Sequence, residues 1–236
     1  MRVWAAKRTK AGVRGETALK PQDAILVLLS VAAGGIDALS FYALGAFTSA
    51  MSGNTILLGL ALAQGKVKAA SSSLFAFAGY VLGVAAATPL GVSAPHAEPP
   101  RVLRRALLVE AALLVAFAAL WAAGVELPVP ETLQRGLLVL AGTAMGLQSV
   151  TARKLDVPGV NTVVFTSTLT AIVGALADAA RYRARRPIRP ETWRQVAAFL
   201  LYLAGAACMG WLALQDITLA ALAPFGCVLA AVLLVG

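Results

Sequence analysis

Charge is scarce in this chain. Asp, Glu, Lys and Arg make up 13% of its 236 residues and hydrophobic residues 59%, against about 25% charged residues in ordinary soluble domains. That shortage excludes an ordinary water-soluble domain. Histidine is scarcer still. His96 is the single one, in the loop Ser93-Ala94-Pro95-His96-Ala97-Glu98-Pro99-Pro100, so a His-based metal site has no second ligand and a nucleophile–imidazole pair has nothing to be assembled from. The two cysteines, Cys208 and Cys227, both fall in apolar stretches. A disulfide framework needs an oxidising aqueous compartment, so they read as small packing residues. H-E-x-x-H, G-x-S-x-G and Walker A patterns are absent. The sequence thus carries no enzyme signature, no cofactor motif and no metal-ligand set.

What the chain has instead is long apolar runs. Mean hydropathy is +0.80, and the stretches 24–44, 74–92, 106–123 and 196–214 are near or above the roughly 20 apolar residues that cross a hydrocarbon core. No β-barrel alternation is visible. The pattern is that of an all-α polytopic membrane protein, with the lipid bilayer as its first partner. The net charge of +9 does not signal nucleic acid, because the basic residues sit between apolar segments and no aromatics are interleaved for base stacking. Arg2, Lys7, Arg8, Lys10, Arg14 and Lys20 precede the first segment, and Arg181, Arg183, Arg185, Arg186, Arg189 and Arg194 precede the seventh. That is how cytoplasmic loops look under the positive-inside rule. The basic tail is followed by too long an apolar run, with no evident cleavage site, for a signal peptide. A multi-pass protein of the inner membrane with a cytoplasmic N-terminus is expected. Homo-oligomerisation is compatible with the pattern and is not specified by it.

Eight apolar elements are expected, at about 23–44, 50–63, 70–92, 105–123, 133–151, 160–179, 194–213 and 216–235. A three-part pattern occurs twice. Gly35-Ile36-Asp37, Met51-Ser52-Gly53-Asn54-Thr55 and Phe77-Ala78-Gly79-Tyr80-Val81-Leu82-Gly83 match Gly146-Leu147-Gln148, Phe165-Thr166-Ser167-Thr168-Leu169 and Phe199-Leu200-Leu201-Tyr202-Leu203-Ala204-Gly205 in the same order. The division that follows is a basic cytoplasmic tail (1–21) and two membrane repeats (22–124 and 125–236) that form one membrane domain. The second and sixth elements are short or interrupted by polar residues. Six full transmembrane helices plus two short or re-entrant elements are therefore expected, with eight crossings as the alternative. Lys and Arg divide seventeen inside to three outside in the first arrangement and fifteen to five in the second; both obey the positive-inside rule. Three crossings per half would make the repeats inverted and four would make them parallel.

Short elements at matching positions of two halves point to a transporter's binding site. Asp37 sits well inside the first apolar segment, where an ionised carboxylate is costly unless paired or wetted. It is the first candidate, for proton or cation coupling. Ser52, Gly53, Asn54 and Thr55 offer donors, acceptors and an adaptable backbone, and Ser52 or Asn54 also suits a helix N-cap. Gln148, Thr166, Ser167 and Thr168 are the second-half equivalents, with Gln148 answering to Asp37. Glu110 follows Arg104 and Arg105 closely and is expected to be solvated near the membrane face. Asp178 is expected to be interfacial, and Gly79, Gly83, Gly205 and Gly210 to be close-packing points between helices.

The blocks Gly34-Gly35-Ile36-Asp37-Ala38-Leu39-Ser40-Phe41 and Met51-Ser52-Gly53-Asn54-Thr55-Ile56-Leu57-Leu58-Gly59 resemble the YoaK-type family of uncharacterised bacterial integral membrane proteins. So do 145–155, 157–162 and 166–170, and the likeness runs from about 22 to 235. The chain departs from the family's pattern in its second half, where Ser149 stands for the usual asparagine and Ser167 and Ala171 for the usual glycines. The resemblance implies the architecture. The residues point to a permease or channel for a small solute or ion, with its site between the repeats; a non-transporting lipid-binding or assembly subunit is the alternative.

Overall fold

The computed structural model describes residues 21–92, 99–123, 128–155, 165–181 and 188–235, and the side chains of 99 and 165–167 are outside that description. The basic tail and His96 fall outside it too. Eight helices result: α1 (Pro21–Leu44), α2 (Met51–Ala63), α3 (Val67–Ala86), α4 (Pro99–Ala122), α5 (Glu131–Lys154), α6 (Phe165–Arg181), α7 (Pro190–Gln215) and α8 (Ile217–Leu234). No strand occurs among the described residues. Five helices, α1, α3, α4, α7 and α8, are long and apolar enough to cross a membrane. Many of their large apolar side chains face outward, among them Leu74 and Val81 on α3, Leu108 on α4, Leu203 and Trp211 on α7 and Leu233 on α8. Apolar surface on that scale requires lipid around it. This is a multi-pass membrane protein.

Four helices form a ring: α1 packs on α5 and α8, and α4 packs on the same two. Their inner faces meet in one apolar core that includes Leu29, Ala33 and Ile36 of α1, Leu107 and Leu114 of α4, Leu138 and Met145 of α5, and Val228 and Ala231 of α8. Outside the ring, α7 lies along α1 and α3 lies along α5, with α2 on α3 and α6 on α7. Glycines set these outer contacts. A Cβ on Gly34 would collide with the Tyr202 carbonyl of α7, and one on Gly205 with the Val31 carbonyl of α1. On the other flank, Gly146 lies against the Tyr80 carbonyl and Gly83 against that of Thr143. Backbones this close are the small-residue packing that membrane helices use in place of hydrophobic exclusion.

Side-chain bonds give the directions. Gln148 Nε2 donates to the Leu29 carbonyl at 2.8 Å and Gln134 Nε2 to the Leu44 carbonyl at 2.7 Å, so α1 and α5 run antiparallel. Gln134 Nε2 also reaches Ser72 Oγ at 3.1 Å, which puts the start of α3 beside the end of α1. At the opposite end Arg194 Nε pairs with Asp23 at 3.0 Å, joining the starts of α7 and α1. A cavity there is lined by Gln22, Ile25, Pro100, Leu103, Lys154, Leu155, Leu234 and Val235.

Two element boundaries differ from the sequence expectation by six residues. Helix α3 stops at Ala86 and passes into a turn at 87–92 that carries Pro89 and the left-handed Gly91 (φ +79°). Helix α4 begins at Pro99, six residues earlier than expected, because proline suits a first helical turn whose N–H groups are unpaired anyway. Arg101, Arg104 and Arg105 therefore stand exposed on the first turns of α4, and Glu110 moves to mid-helix. Its side chain is fully buried with neither oxygen partnered. The expectation of a solvated Glu110 near the membrane face is thereby corrected, whereas Asp178 is exposed on α6.

Candidate functional site

Helix α1 ends at Leu44, where Gly45 takes φ +74°, a left-handed value natural to glycine. The chain then turns back along α1. Its next residues need hydrogen bonds from protein, because membrane interior supplies none. Asp37, 2% exposed, meets that need. Its Oδ1 accepts from the N–H groups of Thr48 and Ser49, both at 2.7 Å, and from Thr48 Oγ1 at 3.1 Å. Its Oδ2 accepts from Ser49 Oγ at 2.5 Å and from Tyr202 Oη of α7 at 2.7 Å. Five donors from two elements converge on one carboxylate, and the loop they fix leads directly into the N-terminus of α2. A negative charge is favoured at that position by the helix dipole.

Asn54 completes the hold. Its Oδ1 accepts from the Phe47 N–H at 2.9 Å and its Nδ2 donates to the Phe47 carbonyl at 2.5 Å. The Phe47 ring stacks on Phe41 with centroids 4.6 Å apart, and a Cβ on Gly53 would stand 3.0 Å from that ring. The N-cap of α2 is Ala50, which makes no side-chain capping bond. The expectation that Ser52 or Asn54 caps the helix is therefore corrected: Asn54 clamps the loop from inside the first turn. Ser52 and Thr55 are exposed, and Thr55 Oγ1 bonds back to the Met51 carbonyl at 3.0 Å.

The second-half residues do not join this cluster. Gln148 bonds to Leu29, eight residues and about 12 Å along α1 from Asp37 at the helical rise. Its Oε1 is buried with no partner. Thr168 is buried at 3% exposure on α6, and the side chains of Thr166 and Ser167 lie outside the described residues. Sequence reasoning missed two groups. Tyr202 binds Asp37, and on the opposite flank Tyr80 Oη donates to Ser149 Oγ at 2.9 Å. Ser149, one residue beyond Gln148, is thus the residue that meets a tyrosine as Asp37 does. The two F-x-x-Y-x-x-G segments already contained both tyrosines as a signal.

Asp37 lines neither of two cavities open among the described residues: one at the Leu103–Leu155 end of the bundle, and one bordered by Leu44, Gly45, Lys66, Lys68 and Gln134. No group of three or more His, Cys, Asp or Glu suited to a metal ion occurs among the described residues.

No solved structure matches the chain. The chain is 31% identical over 192 residues, 80% of its length and 83% of the relative's, to the UPF0700 transmembrane protein YoaK of Bacillus subtilis (strain 168). A family profile described as "Protein of unknown function (DUF1275)" matches residues 25–235. The apolar helices, the glycine-set packing and these matches agree, and the chain belongs to the DUF1275 family of membrane proteins.

Proposed function

We propose that the protein is an inner-membrane permease or channel for a small solute or ion. In this reading it is built from two inverted repeats of three crossings, each with a short element that enters and leaves on one side. One observation carries it: α2 begins beside Asp37, about 10 Å short of the end of α1 by helical rise, and returns to that same end, where α3 starts. A half-helix whose N-terminus is held at depth, with its loop donors satisfied by protein, is the element from which many transporter sites are made.

The packing supports the repeat. A shift of 112 residues carries Val31 and Gly34 onto Thr143 and Gly146, and a shift of 122 carries Tyr80, Gly83 and Val84 onto Tyr202, Gly205 and Ala206; the matching pairs touch on both flanks. With α1 and α5 antiparallel, the repeats are inverted and the N-terminus lies on the cytoplasmic side, together with Arg101, Arg104, Arg105, Arg153, Lys154 and Arg194. The register pairs Asp37 with Ser149.

A specific observation favours the alternative, a non-transporting lipid-binding or assembly subunit. Five protein donors satisfy Asp37, and between the Leu29 and Leu44 contacts α1 meets α5 through a core that holds Ala33, Ile36, Ala141 and Met145. That seam is closed by apolar packing. Reconstitution into liposomes separates the two. Flux of ions or small metabolites above protein-free vesicles, abolished when a cysteine pair locks α2 to α3, is expected of a permease. A thermal-shift and flux screen with no ligand and no flux would sink that reading and leave the subunit.

A further inference from the structure

The ring helices carry several buried polar groups without a partner: both carboxyl oxygens of Glu110 on α4 and Oε1 of Gln148 on α5, besides the Ser30 and Ser40 hydroxyls of α1 and Trp121 Nε1 of α4. Glu110 and Gln148 are both 0% exposed. The neighbours of Glu110 one turn away on its own helix are Ala106, Leu107 and Leu114, all fully buried, and the half-buried Leu113. Depth follows from the cavity at the ring's end, whose lining includes Leu103 of α4 and Leu155 of α5. Glu110 is seven residues beyond Leu103 and Gln148 seven before Leu155, so each lies about 10 Å deeper than the cavity wall at the helical rise. Two unsatisfied groups thus share one level on two packed helices, below one opening of about 270 Å³.

Their needs are complementary. An ionised Glu110 has only acceptor oxygens, Gln148 Oε1 is a second acceptor, and the amide's Nε2 is committed to the Leu29 carbonyl. An isolated carboxylate in such a place costs several kcal/mol, and no donor is offered to it. One added proton changes this. A carboxylic acid gains an O–H donor, and the glutamine oxygen at that level is an acceptor without one. We propose that Glu110 is a proton-binding carboxyl, loaded from the Leu103–Leu155 cavity, with Gln148 Oε1 as the acceptor of its O–H when the side chains close together. The transfer is balanced: a hydronium that enters the ring from the cavity gives its proton to a Glu110 oxygen, one O–H bond breaks, one forms, and a neutral acid and a water remain.

The charged and titratable groups on the surrounding elements leave this carboxyl to itself. On α4, Arg101, Arg104 and Arg105 are exposed on the first turns. On α5, Arg153 and Lys154 stand at one end, and Glu131 and Arg135 at the other, paired at 3.3 Å. Helix α8 carries no charged residue, only the thiol of Cys227. On α1, Asp23 pairs with Arg194 and Asp37 is held by its five donors.

This site stands whether or not the protein is a permease, and its test needs no transported substrate. Infrared spectra of the purified protein in lipid nanodiscs are expected to show, at neutral pH, a protonated-carboxyl band worth one group. Glu110→Gln should remove it, strongly alkaline pH should diminish it, and Gln148→Leu should shift its frequency while leaving its intensity. Glutamate labelled with heavy carbon identifies the band in the native chain, which covers the case of a Glu110→Gln protein that does not fold. Absence of such a glutamate band overturns the proton site. A band that Gln148→Leu leaves unmoved overturns the pairing with Gln148.

Discussion

Replacing Asp37 tests whether its carboxylate is the pin that holds the α1–α2 turn. In Asp37→Ala the N–H groups of Thr48 and Ser49 lose acceptors at 2.7 Å, and both residues are buried at 1% exposure or less. The hydroxyls of Thr48, Ser49 and Tyr202 can turn elsewhere, but the two amides cannot. Each orphaned buried donor costs about 1–3 kcal/mol, so about 2–6 kcal/mol is expected in all. At about 2–4 °C per kcal/mol for a chain of this size, the apparent Tm should fall by roughly 4–24 °C. Asp37→Asn keeps an acceptor at Oδ1 for both amides, and its Nδ2 can donate to Ser49 Oγ or Tyr202 Oη. Its cost should be confined to the lost charge assistance, about 1–3 kcal/mol. Thermal unfolding in detergent, with labelling of Ser52→Cys as a reporter of the α2 start, measures both. An alanine variant within a degree of wild type would refute the pin. So would an asparagine variant as damaged as the alanine one, because the charge and not the geometry would then be at work.

Asn54→Ala leaves the Phe47 N–H and carbonyl unpaired, and should cost about 2–4 kcal/mol by the same thermal measurement. Gly83→Ala sets a methyl against the Thr143 carbonyl, with Leu147 N 2.8 Å away; it should cost about 3 kcal/mol or more. Gly59→Ala, with nothing within 4 Å, should lie within about 1 kcal/mol of wild type or be slightly stabilised. Val67→Cys, at a position 79% exposed, should label from the periplasmic face in a chain with Cys208 and Cys227 replaced. Protection there, with labelling from the cytoplasm, would restore eight crossings.

All eight helices were legible in the apolar runs, because a lipid-facing element cannot hide its composition. Their ends were less so. The first turns of α4 look like a loop when charge alone is read, since Arg101, Arg104 and Arg105 belong to a helix that carries them outward; that misplaced Glu110 by two turns. Asp37 stood out as an intramembrane acid, yet its partners are backbone amides eleven and twelve residues on and a hydroxyl 165 residues away. No local pattern announces such donors. Counting from the glycines of the motif aligns Gln148 with Asp37, whereas under the proposed repeat the helix contacts set Gly34, not Gly35, against Gly146 in role.

In that proposed register the two flanks differ. Each flank pairs the first helix of one half with the third of the other, α1 with α7 and α3 with α5, so neither half buries its own glycine seams alone. On one flank the tyrosine meets a carboxylate that also holds a loop; on the other it meets Ser149, a hydroxyl able to hold far less. A carboxylate accepts at four or more lone-pair positions and a serine oxygen at two. The α2 turn is consequently gripped by Asp37, Tyr202 and Asn54 together, while at the equivalent level of α5 the described residues show Tyr80 Oη donating to Ser149 Oγ at 2.9 Å.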